Sequence, residues 1–338
     1  MKERVNASPY FLLVIPVLAA LALHGLGRDL SPAERALLER AGDGATALYS
    51  PLYLLFLQLW SSIGHNPYWL HLSGLLSGLA ALILGLHFVR YLGGAHAAPG
   101  ALLLLAASPF FNAQMQRLSP APVALAAVMA CFLCFIEYSR NGSLKWLGGW
   151  FLTTLLAWSM HAGLSYMLVV QWLFMILYRE RHRGSQLFWW LAQIPVTALF
   201  GLAFGGIVRE VLAIRLPALD AGQFARAAPE FFGLLSANLP PSAALVGAAL
   251  FALLMGGGIW ACRNWRRDPR HGLALLGFAA PFLLWLTPVG HAAYGLAALP
   301  SLLVLVSMGL RLFPRWVRQL LWALVGITYL WGYWYLDK

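Results

Sequence analysis

The sequence predicts an all-α polytopic membrane protein, and its composition carries that prediction. Of the 338 residues, 61% are hydrophobic and only 10% are charged, and the mean hydropathy is +0.72. The chain also contains 15 Trp, 12 Tyr and 19 Phe, which leaves too little polar surface to enclose a water-soluble globule of this size. Lipid is therefore expected to be the solvent for most of the chain.

Eleven apolar runs have about the length that a helix needs to cross a bilayer. We place these spans at residues 8–26, 69–89, 99–113, 122–138, 146–160, 163–178, 187–208, 243–261, 272–287, 293–310 and 320–336. A further run, at 51–64, is too short to span. The first run contains Ala20-Leu21-Ala22, which fits a signal-peptide cleavage site, but we interpret this run as an uncleaved anchor.

The segment at 51–64 decides the sidedness, because counting it as a span inverts every later loop. If it lies on the outer interface and the N-terminus is cytoplasmic, 15 of the 23 Lys and Arg residues are cytoplasmic, with 4 of the 12 Asp and Glu residues. The alternative opposes the positive-inside rule. We therefore predict a helix at 51–64 that rests on the outer face. This topology also explains the net charge of +11, so no nucleic-acid partner is expected.

The chain is predicted to form a single membrane domain over residues 1–338. Two outer loops are long enough to hold a site: 27–68, which includes the surface helix, and 209–241. The cytoplasmic loops are short and basic and carry no glycine-rich phosphate-binding motif, so neither nucleotide hydrolysis nor dinucleotide binding is indicated. A functional site is therefore expected at the outer face.

The first outer loop carries acidic residues with two interpretations. Ser31 and Glu34 have the spacing of a capping box, in which each side chain accepts a hydrogen bond at the start of a helix. In the structural interpretation, Glu34 caps the helix and Arg35 pairs with Glu39 one turn later. In the functional interpretation, Asp29 or Glu34 accepts a proton from an acceptor hydroxyl, or holds a divalent cation, at the membrane boundary.

Two motifs within predicted spans are best explained by packing. Cys131 and Cys134 share one helical face, but no His or acid accompanies them, so packing is favoured over a metal pair. Residues 256–258 are three consecutive glycines, which favour a close helix crossing or a kink over the approach of a ligand.

Several short motifs occur in a recognisable order over about residues 10–180. They are Asp29-Leu30-Ser31-Pro32 with Glu34, Tyr49-Ser50-Pro51-Leu52, Leu59-Trp60 with Gly64, Ser108-Pro109-Phe110, Gln116-Arg117 and Met160-His161-Ala162. This order resembles the GT-C superfamily of lipid-phosphate-dependent glycosyltransferases, in the branch that contains protein O-mannosyltransferases and the bacterial aminoarabinose transferase. Residues 294–305 loosely resemble a late segment of the same family. The resemblance implies a GT-C-like fold.

The resemblance also implies an activity: transfer of a sugar from a polyprenyl-phosphate carrier to an extracytoplasmic acceptor, with the bacterial inner membrane as the expected location. Glu34 or Asp29 would then serve as the catalytic carboxylate. The expected substrate-binding residues are Arg117, His161, Arg209, Arg215 and His291. Each also has an ordinary explanation, namely contact with lipid headgroups, pairing with loop acids, or hydrogen bonding at the end of a span.

Three positions depart from the family pattern. Ala33 stands where the family places the Asp thought to act as base or to position a metal, Ala121 where relatives carry a second acid, and Ala293 where an Arg commonly binds phosphate. Loss of both acids would remove general-base help of about 10²–10⁴ in rate, and any divalent cation with it. The rival hypothesis is therefore a degenerate relative that acts as a binding or structural subunit alongside protein partners. A transporter or channel is disfavoured by the near absence of charges within spans.

Overall fold

The computed structural model describes residues 28–42, 51–160, 164, 166–179, 186–199, 201, 241–285 and 292–334, and no β-strand occurs among them. The helices are α1 Pro32–Gly42, α2 Pro51–Ile63, α3 Pro67–Ala107, α4 Pro109–Met115, α5 Ala121–Asn141, α6 Leu144–Met160, α7 Tyr166–Leu177, α8 at 186–199, α9 Pro241–Ala261, α10 Pro269–Trp285, α11 Ala292–Leu310 and α12 Arg315–Trp334. The run predicted at 8–26 lies outside the described residues.

Most described helices coincide with the predicted spans, and the exception is the pair predicted at 69–89 and 99–113. These form one helix, α3, which is kinked where Gly94 adopts a φ of 69°, and the predicted third span breaks at Ser108. The break has a local cause. Pro109 starts a new helix, and the Ser108 hydroxyl accepts a hydrogen bond from the Phe111 N–H as its cap.

Two of the described helices have both the length and the apolar character to cross a membrane: Pro67–Gly94 and Ala121–Asn141. Shorter apolar helices accompany them at Leu52–Ile63, Ala97–Ala107, Tyr166–Leu177, Val246–Ala261 and Ala297–Leu310. The predicted helix at 51–64 is present as α2. It is too short to span the hydrocarbon core upright, as the sequence prediction requires.

Helix α11 is the centre of the bundle. It packs against α3, α5, α9 and α10, and its residues from Ala297 to Val306 are all buried. A helix that is apolar on every side is stable only when other helices surround it. The sequence around α11 therefore suits an internal position.

A buried polar network joins α5, α6 and α7. The Trp150 indole N–H donates to Gln171 Oε1 at 2.8 Å, and the Gln171 amide donates to Cys131 Sγ at 3.3 Å. Cys131 Sγ also lies 3.2 Å from Thr154 Oγ1, which donates to the Trp150 carbonyl. Cys131 is therefore a packing residue, as predicted, with the addition that its sulfur accepts a hydrogen bond.

Charged residues of several turns meet close to the kink of α3 at Gly94. Ion pairs join Glu137 to Arg140 at 3.1 Å and Asp268 to Arg270 at 2.9 Å, and all four charges act on the Tyr91 hydroxyl. The topology predicted from the sequence places the charged residues at 90, 137–140, 263–270 and 311–318 on the cytoplasmic side, and the structure brings those around Tyr91 together. We call this the basic end of the bundle, and the opposite end, at the start of α3, the loop end.

Candidate functional site

The loop end is organised by a reciprocal contact between two tryptophans. The Trp60 indole N–H donates to the Trp69 carbonyl at 2.8 Å, and the Trp69 indole N–H donates to the Trp60 carbonyl at 2.9 Å. The two rings stack with their centroids 4.5 Å apart and 8° between their planes. This tryptophan clasp fixes the turn between α2 and α3, and it explains why Trp60 stands in the family-like motif that ends at Gly64.

We expect the clasp to contribute measurably to stability. Trp69→Phe keeps a ring but loses one hydrogen bond, at a cost of about 1 kcal/mol, whereas Trp60→Ala also removes the stack and should cost about 3 kcal/mol. Thermal unfolding in detergent, followed by circular dichroism, measures both. The control is Tyr68→Ala, whose side chain is exposed in the same turn. A Tyr68→Ala loss equal to that of Trp60→Ala would contradict the prediction.

Helix α1 begins with the predicted capping box. The Glu34 N–H donates to Ser31 Oγ at 3.3 Å, and the Ser31 N–H donates to Glu34 Oε2 at 2.8 Å. The Arg35 guanidinium donates to the Leu30 carbonyl at 3.0 Å, so it binds the backbone where the sequence suggested a pair with Glu39. The structural interpretation of Glu34 is confirmed, and the side chain does more than cap.

The second carboxylate oxygen of Glu34 ties α1 to the rest of the bundle. Glu34 Oε1 accepts a hydrogen bond from the Leu118 N–H at 3.0 Å and one from the Arg28 guanidinium at 3.2 Å, and His71 Nε2 lies 3.4 Å away. Arg28 also donates to the Gln116 carbonyl at 3.0 Å. We call this set of contacts the Glu34 latch. It joins the first loop to the turn between α4 and α5, which is far away in sequence.

The latch holds Glu34 in its ionised form. Burial alone would raise the pKa of Glu34, but the neighbouring His71 side chain and the hydrogen bonds from Ser31 and Leu118 outweigh burial and hold the pKa well below the ordinary value. Tyr53 of α2 is buried beside it, and burial followed by the Glu34 charge raises the pKa of that phenol. Within the described part of the chain the Tyr53 hydroxyl has no hydrogen-bond partner.

A glycine on α3 lets the turn after α4 approach closely enough for the latch. A Cβ added at Gly74 would lie 2.5 Å from the Met115 carbonyl oxygen and 2.9 Å from that of Arg117. The same turn is stabilised from within, since the Ser119 hydroxyl donates to Gln114 Oε1 and accepts from the Ala121 N–H. The Leu118 N–H is thereby presented to Glu34.

Two of the predicted site residues come to the same end of the molecule with free side chains. Asp29 and Arg117 are both exposed, and neither side chain has a hydrogen bond or ion pair to any residue that the structure describes. Their neighbours, Arg28 and Gln116, are joined directly. A carboxylate and a guanidinium, each without a polar partner among the described residues, therefore lie on adjacent segments, although 88 positions separate them in sequence.

Other predicted positions have different outcomes. Ala33 is exposed on the first turn of α1, and Ala121 is buried at the start of α5. His161, Arg209, Arg215 and His291 lie outside the described residues. Sequence reasoning missed Arg28 and His71, which hold Glu34. An arginine six residues before a capping Glu gives little local signal, and a single His near the start of an apolar span gives none.

Metal binding has little support in this part of the molecule. Across the described ranges, no group of three or more His, Cys, Asp and Glu side chains is placed to hold a metal ion. At the loop end, Glu34 is occupied by the latch, and the exposed carboxylates of Asp29 and Glu39 are the others that the structure describes on this segment. A divalent cation prefers several oxygen ligands. The residues described there do not fit one.

Neither a protein-family model nor a curated protein matches the sequence. Solved structures do match. The chain superposes on ArnT from Cupriavidus metallidurans bound to undecaprenyl phosphate with a TM-score of 0.66 and 16% identity, covering 93% of this chain and 63% of ArnT. It superposes on the apo oligosaccharyltransferase of Archaeoglobus fulgidus with a TM-score of 0.62 and 14% identity, covering 98% of this chain and 56% of the other.

These likenesses establish the fold. Both structures are GT-C membrane proteins, so the chain is an all-α membrane protein with the GT-C fold, and the prediction from motif order is confirmed. The chain spans 63% or less of the length of these structures. At 16% identity or less, the likeness extends to architecture and leaves activity to be argued from the site.

Proposed function

We propose that this chain, which has the GT-C fold, transfers a sugar from a polyprenyl-phosphate carrier to an acceptor at the outer face of a membrane. The observation that carries the proposal is that Asp29 and Arg117, neither of which has a polar side-chain partner among the described residues, lie on segments joined directly by the Arg28–Gln116 hydrogen bond. Sugar transfer from a lipid phosphate needs a group that takes a proton from the acceptor and a cation that holds the phosphate. This end of the chain supplies one of each.

Asp29 is the carboxylate that we assign to proton transfer. Its exposed side chain is free of contacts with the described residues, so its oxygens can accept a proton from an acceptor hydroxyl. Glu34 was an equal candidate by sequence, but its carboxylate already takes hydrogen bonds from three partners and lies beside His71. We therefore assign Glu34 as a positioning residue that keeps the Asp29 segment against the Arg117 turn.

Arg117 is the cation that we assign to the lipid phosphate. A guanidinium can bind two phosphate oxygens at once, which fixes the orientation of the carrier as well as attracting it. His161, Arg209, Arg215 and His291 remain proposed as further substrate ligands from the sequence. Support for a polyprenyl-phosphate partner comes from ArnT, whose structure contains undecaprenyl phosphate. We also propose a bacterial inner-membrane location with a cytoplasmic N-terminus, because that topology places the loop end outside.

The test compares strains that lack or express the gene, by mass spectrometry of cell-surface glycans, glycolipids and glycoproteins. We expect that deletion of the gene removes a sugar from one of these products, and that expression of the wild-type chain restores it. Asp29→Asn should lower restoration by about 10²–10⁴, the usual value of general-base help, because the amide cannot take a proton. Glu39→Gln, an exposed acid on the neighbouring helix, is the control and should restore fully. Full restoration by Asp29→Asn would overturn the assigned mechanism.

The second candidate is a degenerate GT-C protein that serves as a binding or structural subunit. It is favoured by one specific observation. The carboxylate of Glu34, the acid nearest the family's catalytic position, already accepts the hydrogen bonds of the latch, and the methyl group of Ala33 beside it cannot accept a proton. In that case a double variant, Asp29→Asn with Arg117→Gln, would restore the product as well as wild type does. The chain, purified in mild detergent, would also co-purify with another subunit in a fixed stoichiometry.

A further inference from the structure

A cavity lies at the basic end, between the end of α11 and the first turns of α12. Its volume is about 370 Å³, and it is lined by Gly100, Ser307, Leu310, Arg311, Arg318 and Trp322. A second cavity of about 280 Å³ adjoins the same two arginines together with Ala261, Met308 and Leu312. Arg311 and Arg318 therefore line both cavities, and each cavity is large enough for a small ligand or a lipid headgroup.

The charge at this cavity is uncompensated. Neither the Arg311 nor the Arg318 guanidinium has a hydrogen bond or ion pair to any described residue, and no carboxylate is among the lining residues of either cavity. Elsewhere at the basic end, Arg140 and Arg270 are paired with acids, whereas Arg263 and Arg266 lie over the rings of Trp260 and Trp265. Two arginines left without partners at one cavity favour an anion with several oxygens.

The carbonyl groups at the end of α11, next to the cavity, are already satisfied and leave the guanidinium groups of Arg311 and Arg318 available to a ligand. The last carbonyls of α11, at Met308, Gly309 and Leu310, accept hydrogen bonds from the N–H groups of residues 311–313. The Ser307 hydroxyl donates to the Ala97 carbonyl at 2.8 Å and fixes α11 to α3. A ligand in the cavity therefore meets two guanidinium groups without displacing structural hydrogen bonds.

The surroundings indicate where the anion comes from. The apolar side chains of Ala261, Met308 and Leu312 line the second cavity beside the two arginines, and Leu312 is 52% exposed, so the guanidinium groups adjoin an apolar face. A soluble phosphate gains nothing from such a face. An acyl chain can lie along the apolar lining of the second cavity while its headgroup sits in the first, because the arginines are at the ends of the helices, at headgroup level.

We propose that Arg311 and Arg318 bind the phosphate of an anionic phospholipid, with its glycerol in the cavity beside Gly100 and Trp322 and an acyl chain against Met308 and Leu312 of the second cavity. This site is separate from the one at the loop end. His71 of the Glu34 latch and Gly94, where α3 kinks before this cavity, are about 35 Å apart along the helix axis. The lipid here is a bound component of the fold and is not the sugar donor.

The experiment uses full-length chain, delipidated in mild detergent, with phosphatidylglycerol, phosphatidylcholine and inorganic phosphate as the three probes. Binding is measured by native mass spectrometry and by the rise in melting temperature that a ligand of the folded state produces. We expect phosphatidylglycerol to bind and stabilise, and the other two to do neither at equal concentration. Arg311→Gln with Arg318→Gln should weaken phosphatidylglycerol binding about tenfold or more.

The matched control is Arg263→Gln with Arg266→Gln, which removes the same charge from the same end without touching the cavity. We expect it to bind like wild type. Equal losses in the two double variants would overturn the site in favour of net charge, and a stabilising effect of inorganic phosphate equal to that of the lipid would overturn the lipid as ligand. If the Gln pair does not fold, Arg311→Lys with Arg318→Lys replaces it. Wild-type affinity in that variant would overturn the guanidinium contact.

Discussion

Replacing Glu34 by alanine is expected to destabilise the chain by about 3 kcal/mol, because it leaves several hydrogen-bond donors without their charged acceptor. The side chain of Glu34 is 5% exposed, and its removal leaves Arg28 and the fully buried His71 beside an empty site. The Leu118 N–H also loses its acceptor. We expect α1 and the turn between α4 and α5 to separate, because the latch joins them.

The measurement is thermal unfolding in detergent, together with limited proteolysis within residues 28–42 and 114–119. Glu39→Ala, on the exposed side of the same helix, is the control and should change stability by about 0.5 kcal/mol or less. Glu34→Gln should fall between the two, since the amide oxygen can still accept from Leu118 but carries no charge for Arg28. Equal stability of Glu34→Ala and Glu39→Ala would show that the latch is unimportant.

The latch also gives the protein a pH dependence with a defined sign. The pKa of Glu34 is lowered in the folded state, so the carboxylate contributes stability above the ordinary value of 4.5 and loses that contribution as the pH falls toward the folded-state pKa. Wild-type chain should therefore lose stability below about pH 4.5 more steeply than Glu34→Gln does. Parallel curves for the two proteins between pH 6 and pH 3 would contradict this.

Much of the fold was predictable because the elements are local. Apolar runs bounded by charges or prolines give the positions of α5, α6, α9 and α11 to within a few residues. The capping box at Ser31 and Glu34 is equally local, and it formed as expected. Motif order was enough to predict the GT-C fold, because the family-like residues include structural ones such as Trp60, whose clasp does not depend on catalysis.

The site was less predictable because its contacts are long-range. The capping box accounts for one oxygen of Glu34, but the other binds Arg28, Leu118 and His71, and no periodicity connects those positions. The same limit explains the cavity at the basic end. From the sequence, Arg311 and Arg318 are explained by the positive-inside rule alone. Only the fold shows that they line a cavity, whereas Arg140 and Arg270 are paired with acids.

The glycine triplet at 256–258 combines a feature that the sequence predicts with one that only the structure provides. A close helix crossing was predicted from the sequence, but the partner and the residue that makes the contact were not. In the structure a Cβ added at Gly258 would lie 1.9 Å from the Leu305 carbonyl oxygen, and one added at Gly309 would lie 1.9 Å from that of Leu254. Helices α9 and α11 therefore cross backbone to backbone, with one glycine from each at the contact.

Gly258→Ala and Gly256→Ala should consequently have opposite effects, although the positions are two residues apart. The methyl group at 258 meets backbone that cannot rotate away, so α9 must move off α11, and we expect a loss of about 3 kcal/mol or more. At 256 nothing lies within 4 Å, so alanine should stabilise α9 by about 0.5–1 kcal/mol through its higher helix propensity. Melting temperatures in the same detergent compare the two variants directly. A loss at 256 as large as that at 258 would mean that helix flexibility, and not the crossing with α11, is what these glycines provide.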